Sequence, residues 1–261
     1  MGVYLAVARM SFRRQSTYRA AMVAGVFTNS VFGIILASVL LAAYEQTSEI
    51  NGLDASGAVT ITFVTQGLLM VNGSFGWKEM AERVRSGDVA TDLHRPIDFS
   101  LYWMSMFVGA STFAVLGRGI VPFLVGAVLF DLTVPTSVIT WLGPAACLLG
   151  AGVVASRWWF LVNLASFWLA GDIRGVVQLA GALQMFCSGA LIPLQFFPDA
   201  IGQVLRLTPF AAMAQLPAEV FLGKVDPGTV LGAQLLWVGV LHVAGLAVLR
   251  RGSRKLVIDG G

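Results

Sequence analysis

Ser188, His94, His242, Cys147 and Cys187 are where a reaction would first be sought in this chain. Ser188 lies in the run Phe186-Cys187-Ser188-Gly189 and His242 on a separate apolar stretch, so a serine–histidine hydrolase working inside an apolar matrix is one reading. A tight nucleophile turn calls for glycine two residues before the serine, and that place holds Phe186. Helix packing by a small polar side chain is the plainer role for Ser188. The two histidines are far apart in sequence and no H-E-x-x-H occurs, so no metal site is expected. Cys147 and Cys187 sit within long apolar runs and read as small hydrophobes, not as a disulfide. No G-x-x-x-x-G-K-[ST] loop is present to cradle phosphates, so no nucleotide or other cofactor is expected on this chain.

The elements that would position these residues are apolar throughout. Of 261 residues, 57% are hydrophobic and only 12% charged, with a mean hydropathy of +0.79. Soluble domains carry about 25% charged residues, so too little polar surface remains to cover a soluble globule. This excludes a soluble enzyme, a disordered chain and a nucleic-acid-binding domain, and the net charge of +3 marks no nucleic-acid partner. Cutting the chain at its charges leaves six stretches long enough for the ~20 residues that a bilayer-crossing helix needs. The expected fold is an all-α integral membrane domain over residues 1–261, with spans near 20–44, 55–77, 101–130, 136–160, 175–197 and 228–249. The first span is too long for a signal-peptide core and is expected to stay as an anchor.

The charges set the direction. Arg9, Arg13, Arg14 and Arg19 precede the first span, whereas Glu45, Glu49 and Asp54 come after it with no basic residue. Lys78, Arg83, Arg85 and Arg95 fall in the next connection, Arg174 before the fifth span, and Arg250, Arg251, Arg254 and Lys255 in the tail. The other side holds Arg206 and Lys224. Basic residues concentrate on the cytoplasmic side, so both termini are expected there. Residues 99–171 accommodate either two long tilted crossings or four tight ones; two are favoured, turning at Asp131–Thr136. Arg157 then falls near the inner interface, with Trp158, Trp159 and Phe160 as an aromatic belt.

Apart from Arg118 and Arg157, no ionisable side chain is expected at membrane depth. A proton- or sodium-coupled carrier would show acidic residues there. Asn29, Gln66, Asn72 and Asn163 read as interhelical hydrogen-bonding groups.

The stretch from Lys78 to Asp98 is different in kind. Met80, Ala81 and Val84 share a helical face, and Glu79, Glu82, Arg83 and Arg85 lie elsewhere on the turn. Gly87 suits a helix stop, and Pro96 ends the short segment beyond it. A short charged helix between two spans suits docking of a cytosolic partner; a solvated connecting loop is the alternative.

Arg85-Ser-Gly-Asp-Val-Ala-Thr-Asp-Leu-His-Arg-Pro-Ile-Asp98 resembles the segment after the second span of ABC-2 type exporter permeases. Phe167-Trp-Leu-Ala-Gly-Asp-Ile-Arg-Gly175 is similar to that family's junction before the fifth span, although Leu169-Ala170 is less polar than the pattern, which weakens a role for Asp172. Gly189-Ala-Leu-Ile-Pro-Leu-Gln-Phe-Phe-Pro198 resembles the outer end of that span. Leu207-Thr-Pro-Phe210 and Pro217-Ala-Glu-Val-Phe-Leu-Gly223 resemble the approach to the last one.

The resemblance implies a permease subunit of an ATP-driven exporter in a bacterial plasma (inner) membrane, closest in pattern to viologen and multidrug exporters. It implies a separate ABC ATP-binding subunit carrying ATP and magnesium, a second permease as homodimer or heterodimer partner, and a drug-like or amphiphilic cargo. Glu79, Glu82, Arg83, Arg85, Asp88, Asp92 and Arg95 would couple to the ATPase, residues 79–95 being the coupling helix and its turn. Val3–Arg14, with Leu5, Ala8 and Phe12, would be an amphipathic helix lying on the membrane. Residues 193–223 hold Pro193, Pro198, Pro209 and Pro217 and two apolar patches too short to cross. The implied element is a re-entrant outer gate that includes Glu219; an ordinary loop is the alternative. A stand-alone channel or secondary carrier is the rival function, and an intramembrane hydrolase the third.

Overall fold

A computed structural model describes residues 2–71, 73, 77–169 and 173–259, the side chains of 70, 71 and 255–259 excepted. Asn72 and Asp172 lie outside the described residues. Among the described residues the regular elements are helices and one β-hairpin. Helix α1 spans Gly2–Ser16 and α2 Arg19–Ala43. Thr28 and Ser30 sit inside α2 with their hydroxyls satisfied by the carbonyls of Ala24 and Val26, each at 2.8 Å. Strands β1 (Glu49–Ile50) and β2 (Leu53–Asp54) pair antiparallel. Asn51 (φ 46°) and Gly52 (φ 77°) form the two-residue turn between them, where positive φ favours these two residue types.

Helix α3 (Ala55–Val71) comes next, then α4 (Glu79–Ser86) and α5 (Val89–Leu93). Helices α6 (Phe99–Ala114) and α7 (Ile120–Leu129) are one continuous rod interrupted by a π turn at Val115–Gly119. A 3₁₀ turn at Ile139–Trp141 leads into α8 (Leu142–Leu164). Then come α9 (Arg174–Cys187), α10 (Asp199–Arg206), α11 (Pro209–Met213), α12 (Gln215–Phe221) and α13 (Pro227–Asp259).

Among the described residues, four helices have the length and composition to cross a bilayer: Arg19–Ala43, Phe99–Leu129, Ile139–Phe167 and Pro227–Arg254. Their outward faces are apolar. On α2, Val23, Phe27, Val31, Ile35 and Val39 form an exposed stripe, Phe27 being 70% exposed. A stripe of that kind is stable only against lipid or another apolar surface. Two spans depart from expectation. The fourth begins several residues later than 136, because Ser137 and Thr140 close a turn on each other and Pro144 sits within the first turn of α8. The fifth, expected over 175–197, is a helix of only 14 residues, about 21 Å against a hydrocarbon core of about 30 Å. Gly189 at φ 79° ends it, and Pro193 leads into a single 3₁₀ turn at Leu194–Phe196.

Alternate connections gather at opposite ends of the bundle. At one end Tyr44 Oη donates to the Leu53 carbonyl (3.0 Å), Asn51 Nδ2 to the Gln195 carbonyl (2.9 Å) and Ser56 Oγ to the Asp131 carbonyl (2.8 Å). The opposite end carries α1, α4, α5 and the C-terminal part of α13. Close packing along the bundle uses small residues: Gly67 lies against Gly119, and Gly33 and Gly126 make room on either side of Phe63.

Helix α1 is laid along α6. Ser11 Oγ donates to the Met106 carbonyl (2.6 Å), and Phe12 and Phe113 stack edge to face at 5.4 Å. Gly109 lets the α1 backbone approach so closely that a Cβ there would collide with the Ala8 carbonyl oxygen. The helix expected to lie on the membrane surface packs one face along α6 and leaves Val3, Leu5 and Met10 exposed.

Candidate functional site

The segment 77–98 is a two-helix knob with one face locked into the bundle. Gly87 adopts the left-handed conformation (φ 81°) that stops α4, and α5 begins two residues later. Met80 and Val89 are fully buried in a cluster with Phe99, Trp103, Met106, Phe160, Leu164 and Phe167, so the knob is seated on the ends of α6 and α8. Trp77 stacks edge to face on Trp103 and Phe107, each at 5.5 Å. Asn163 of α8 closes the seat: its Oδ1 accepts from the Ala81 amide (3.1 Å), and its Nδ2 donates to the carbonyls of Trp77 (2.6 Å) and Trp159 (2.8 Å). An amide inside α8 thus satisfies the exposed backbone at the start of α4.

The charged residues of this segment divide into two groups. Asp92 is buried and holds Arg83 through two hydrogen bonds, to Nε and, at 3.0 Å, to Nη2; Arg95 reaches the same carboxylate at 3.3 Å. The hydrogen bond to Asp92 raises the Arg83 guanidinium above its ordinary pKa. Glu79 is held by Arg14 of α1 at 2.6 Å on both oxygens. These residues fasten the knob. Glu82, Arg85 and Asp88 lie on its outer face, with Glu82 paired to Lys78 at 3.3 Å and Asp88 accepting from Ser86 at 2.8 Å. Arg14, Trp77 and Asn163 complete the arrangement and were not singled out for it by the sequence; no local pattern joins them to 79–95.

At the opposite end the four prolines act as helix starters. Pro193 precedes the 3₁₀ turn, Pro198 is the N-cap of α10, Pro209 opens α11 and Pro217 lies in the first turn of α12. Helices α11 and α12 are buried against α8, and the chain breaks sharply between them at Ala214 (φ −141°, ψ −65°). The break is satisfied internally. The Gln215 amide donates to the Ser188 carbonyl (3.0 Å), and Gln234 Nε2 donates to the carbonyls of Ala212 (3.0 Å) and Cys147 (2.8 Å). Broken backbone within an apolar bundle requires such partners.

Glu219, 2% exposed, is the one expected gate residue with a charge. Arg206 holds it through two hydrogen bonds, of 2.6 and 2.5 Å, and Gln195 and Gln215 donate to the same carboxylate at 2.7 and 2.9 Å. These contacts tie α10, through Arg206, to α12.

The deep arginines have separate fates. Arg157 is 4% exposed, donating to Ser100 Oγ and Met104 Sδ, each at 2.6 Å. With Trp159 fully buried beside it, this stretch is core. The interfacial belt expected here does not form, because α8 runs on to Leu164 and packs on α6. Arg118 lies in the π turn and donates to the Ala21 carbonyl. The serine–histidine pair is not assembled: Ser188 Oγ donates to the Met185 carbonyl at 3.3 Å, and His242 Nδ1 is buried without a hydrogen-bond partner. Among the described residues no cluster of His, Cys, Asp and Glu could hold a metal ion.

A family model of ABC-2 family transporter proteins matches residues 29–260, nearly the whole chain. The chain belongs to this family: it is a multi-pass membrane transport protein, the permease subunit of an ABC transporter. No curated protein and no solved structure gives a significant match.

Proposed function

We propose that this permease exports a small amphiphilic molecule and is driven by a separate ATP-binding subunit that docks on α4 and α5. The observation that carries this is the construction of the knob: an inner face sealed into α6 and α8 by Met80, Val89 and Asn163, and an outer face presenting Glu82, Arg85 and Asp88. In this reading a push on the outer face is carried by these buried contacts. It passes through Met80 to α6 and α8, and through Glu79 and Arg14 to α1.

In this reading ATP and magnesium sit on the partner, and a second permease completes the path. Six crossings, with α3 and α9 as the two short ones, agree with the gathering of alternate connections at opposite ends. The end bearing the knob also bears Arg9, Arg13, Arg14, Arg85 and Arg250, against Arg206 and Lys224 at the other. That bias supports a cytoplasmic location for both termini in a bacterial plasma membrane. The broken pair α11–α12, with its prolines and the Glu219 network, is then a re-entrant outer gate.

Reconstitution tests the motor assignment. Proteoliposomes holding the permease together with an ATP-binding subunit should transport only with ATP, and Arg85→Glu should abolish transport while the protein remains folded. Equal transport by the permease alone would overturn it.

A further inference from the structure

A cavity of about 440 Å³ opens between the α1–α2 elbow, the end of α3 and the middle of α6, a size typical of small-molecule sites. Its walls are chiefly aromatic and aliphatic, with Tyr18, Trp77, Phe107 and Phe113 among them, and Arg118 and Gln15 are polar groups on its border. No Asp or Glu lines it among the described residues.

The arginine is held in a set place. Its guanidinium lies across Gly25, where a Cβ would collide with Nε, and Nη2 donates to the Ala21 carbonyl. Asn29 Nδ2 donates to the Arg118 carbonyl at 3.4 Å. The helix widens into a π turn at this residue, a distortion that recurs at functional sites. A guanidinium bordering a chiefly apolar cavity attracts anions and repels cations, the more strongly because the surroundings have a low dielectric.

We propose that this cavity binds an anionic amphiphile, its phosphate-, sulfate- or carboxylate-type headgroup held by Arg118 and its apolar body by Trp77, Phe107 and Phe113. The ligand class is opposite in charge to a cationic aromatic drug. Trp77 also gives its carbonyl to Asn163 at the base of the knob, so the cavity wall and the docking segment share one residue. As the cargo site, the cavity rests on the export reading; as a binding site it stands without it.

Native mass spectrometry of the full chain in neutral maltoside micelles tests this with dodecyl phosphate and dodecyl trimethylammonium as probes. Dodecyl phosphate should bind, and the cation should bind at least tenfold more weakly. Arg118→Gln should weaken dodecyl phosphate binding at least tenfold. Ala114→Phe, which fills the cavity and leaves the charge in place, should do the same. Displacement of the probe by phosphatidic acid supports the site with a membrane lipid as occupant; retention against phosphatidic acid supports it with a freely exchanging single-chain amphiphile. Wild-type binding by both variants, equal binding of the cation, or full displacement by inorganic phosphate would overturn the proposal. Loss of binding with ATP-driven transport intact would remove this site alone, whereas failure of ATP-dependent transport with binding intact would remove the motor assignment alone.

Discussion

Arg14 and Glu79 face each other as a two-bonded pair at 2.6 Å, joining the first helix to the knob across 65 residues of sequence. The pair is part-exposed, 48% on the arginine side chain and 27% on the carboxylate. Pairs of that exposure contribute about 0–1 kcal/mol to stability. Its importance therefore lies in what it connects. Arg14→Glu should leave the thermal midpoint within a few degrees of the parent and lower the ratio of transport to ATP hydrolysis several-fold. The swap Arg14→Glu with Glu79→Arg should restore that ratio, as measured in proteoliposomes.

Asn163 should behave in the opposite way. Its side chain makes three hydrogen bonds in a buried setting, and removing a partner from buried polar groups costs about 1–3 kcal/mol each. Asn163→Leu should destabilise the protein measurably in a detergent-solubilised thermal melt. It should also expose the 77–81 backbone to faster amide hydrogen exchange than in the parent. Unchanged exchange there would show that the seat of the knob does not depend on this residue.

The Arg206–Glu219 pair makes a third prediction, because only one partner is deeply buried. Arg206→Gln strands a carboxylate that is 2% exposed, and breaking a buried pair this way costs about 3–5 kcal/mol. Glu219→Gln removes the buried charge itself and leaves a side chain that Gln195 and Gln215 can still engage. The first variant should melt well below the second. Equal melting of the two would contradict the fastening role assigned to this network.

The knob was legible in the sequence because its determinants are local: Met80, Ala81 and Val84 share one helical face, Gly87 stops the helix, and charges occupy the remainder. The prolines of 193–223 marked a stretch too broken to cross the membrane as one helix, but that each stands at a helix start came only from the structure. Contact between distant stretches could not be read. Asn163 looks like any amide on an apolar helix until α4 is brought to it. Likewise, the weakly amphipathic α1 gives no sign that Gly109 clears a berth for it on α6. The burial of Arg157 and Trp159 has the same cause. An arginine flanked by aromatics suits an interface, and only the packing of α6 on α8 turns that surface inward. The fifth span was overestimated because Ala190–Ile192 continue the apolar run while Gly189 has already ended the helix.

If the outer face of α4–α5 receives the motor, that face must touch it in the living membrane. Photo-crosslinking side chains placed singly at Arg85, Asp88 and Asp199 in native membranes test this most directly, with captured proteins identified by mass spectrometry. Positions 85 and 88 should each capture a protein bearing an ATP-binding G-x-x-x-x-G-K-[ST] loop, and position 199, at the opposite end of the bundle, should capture none. Absence of such a protein at 85 and 88, or its equal capture at 199, would contradict docking on the knob.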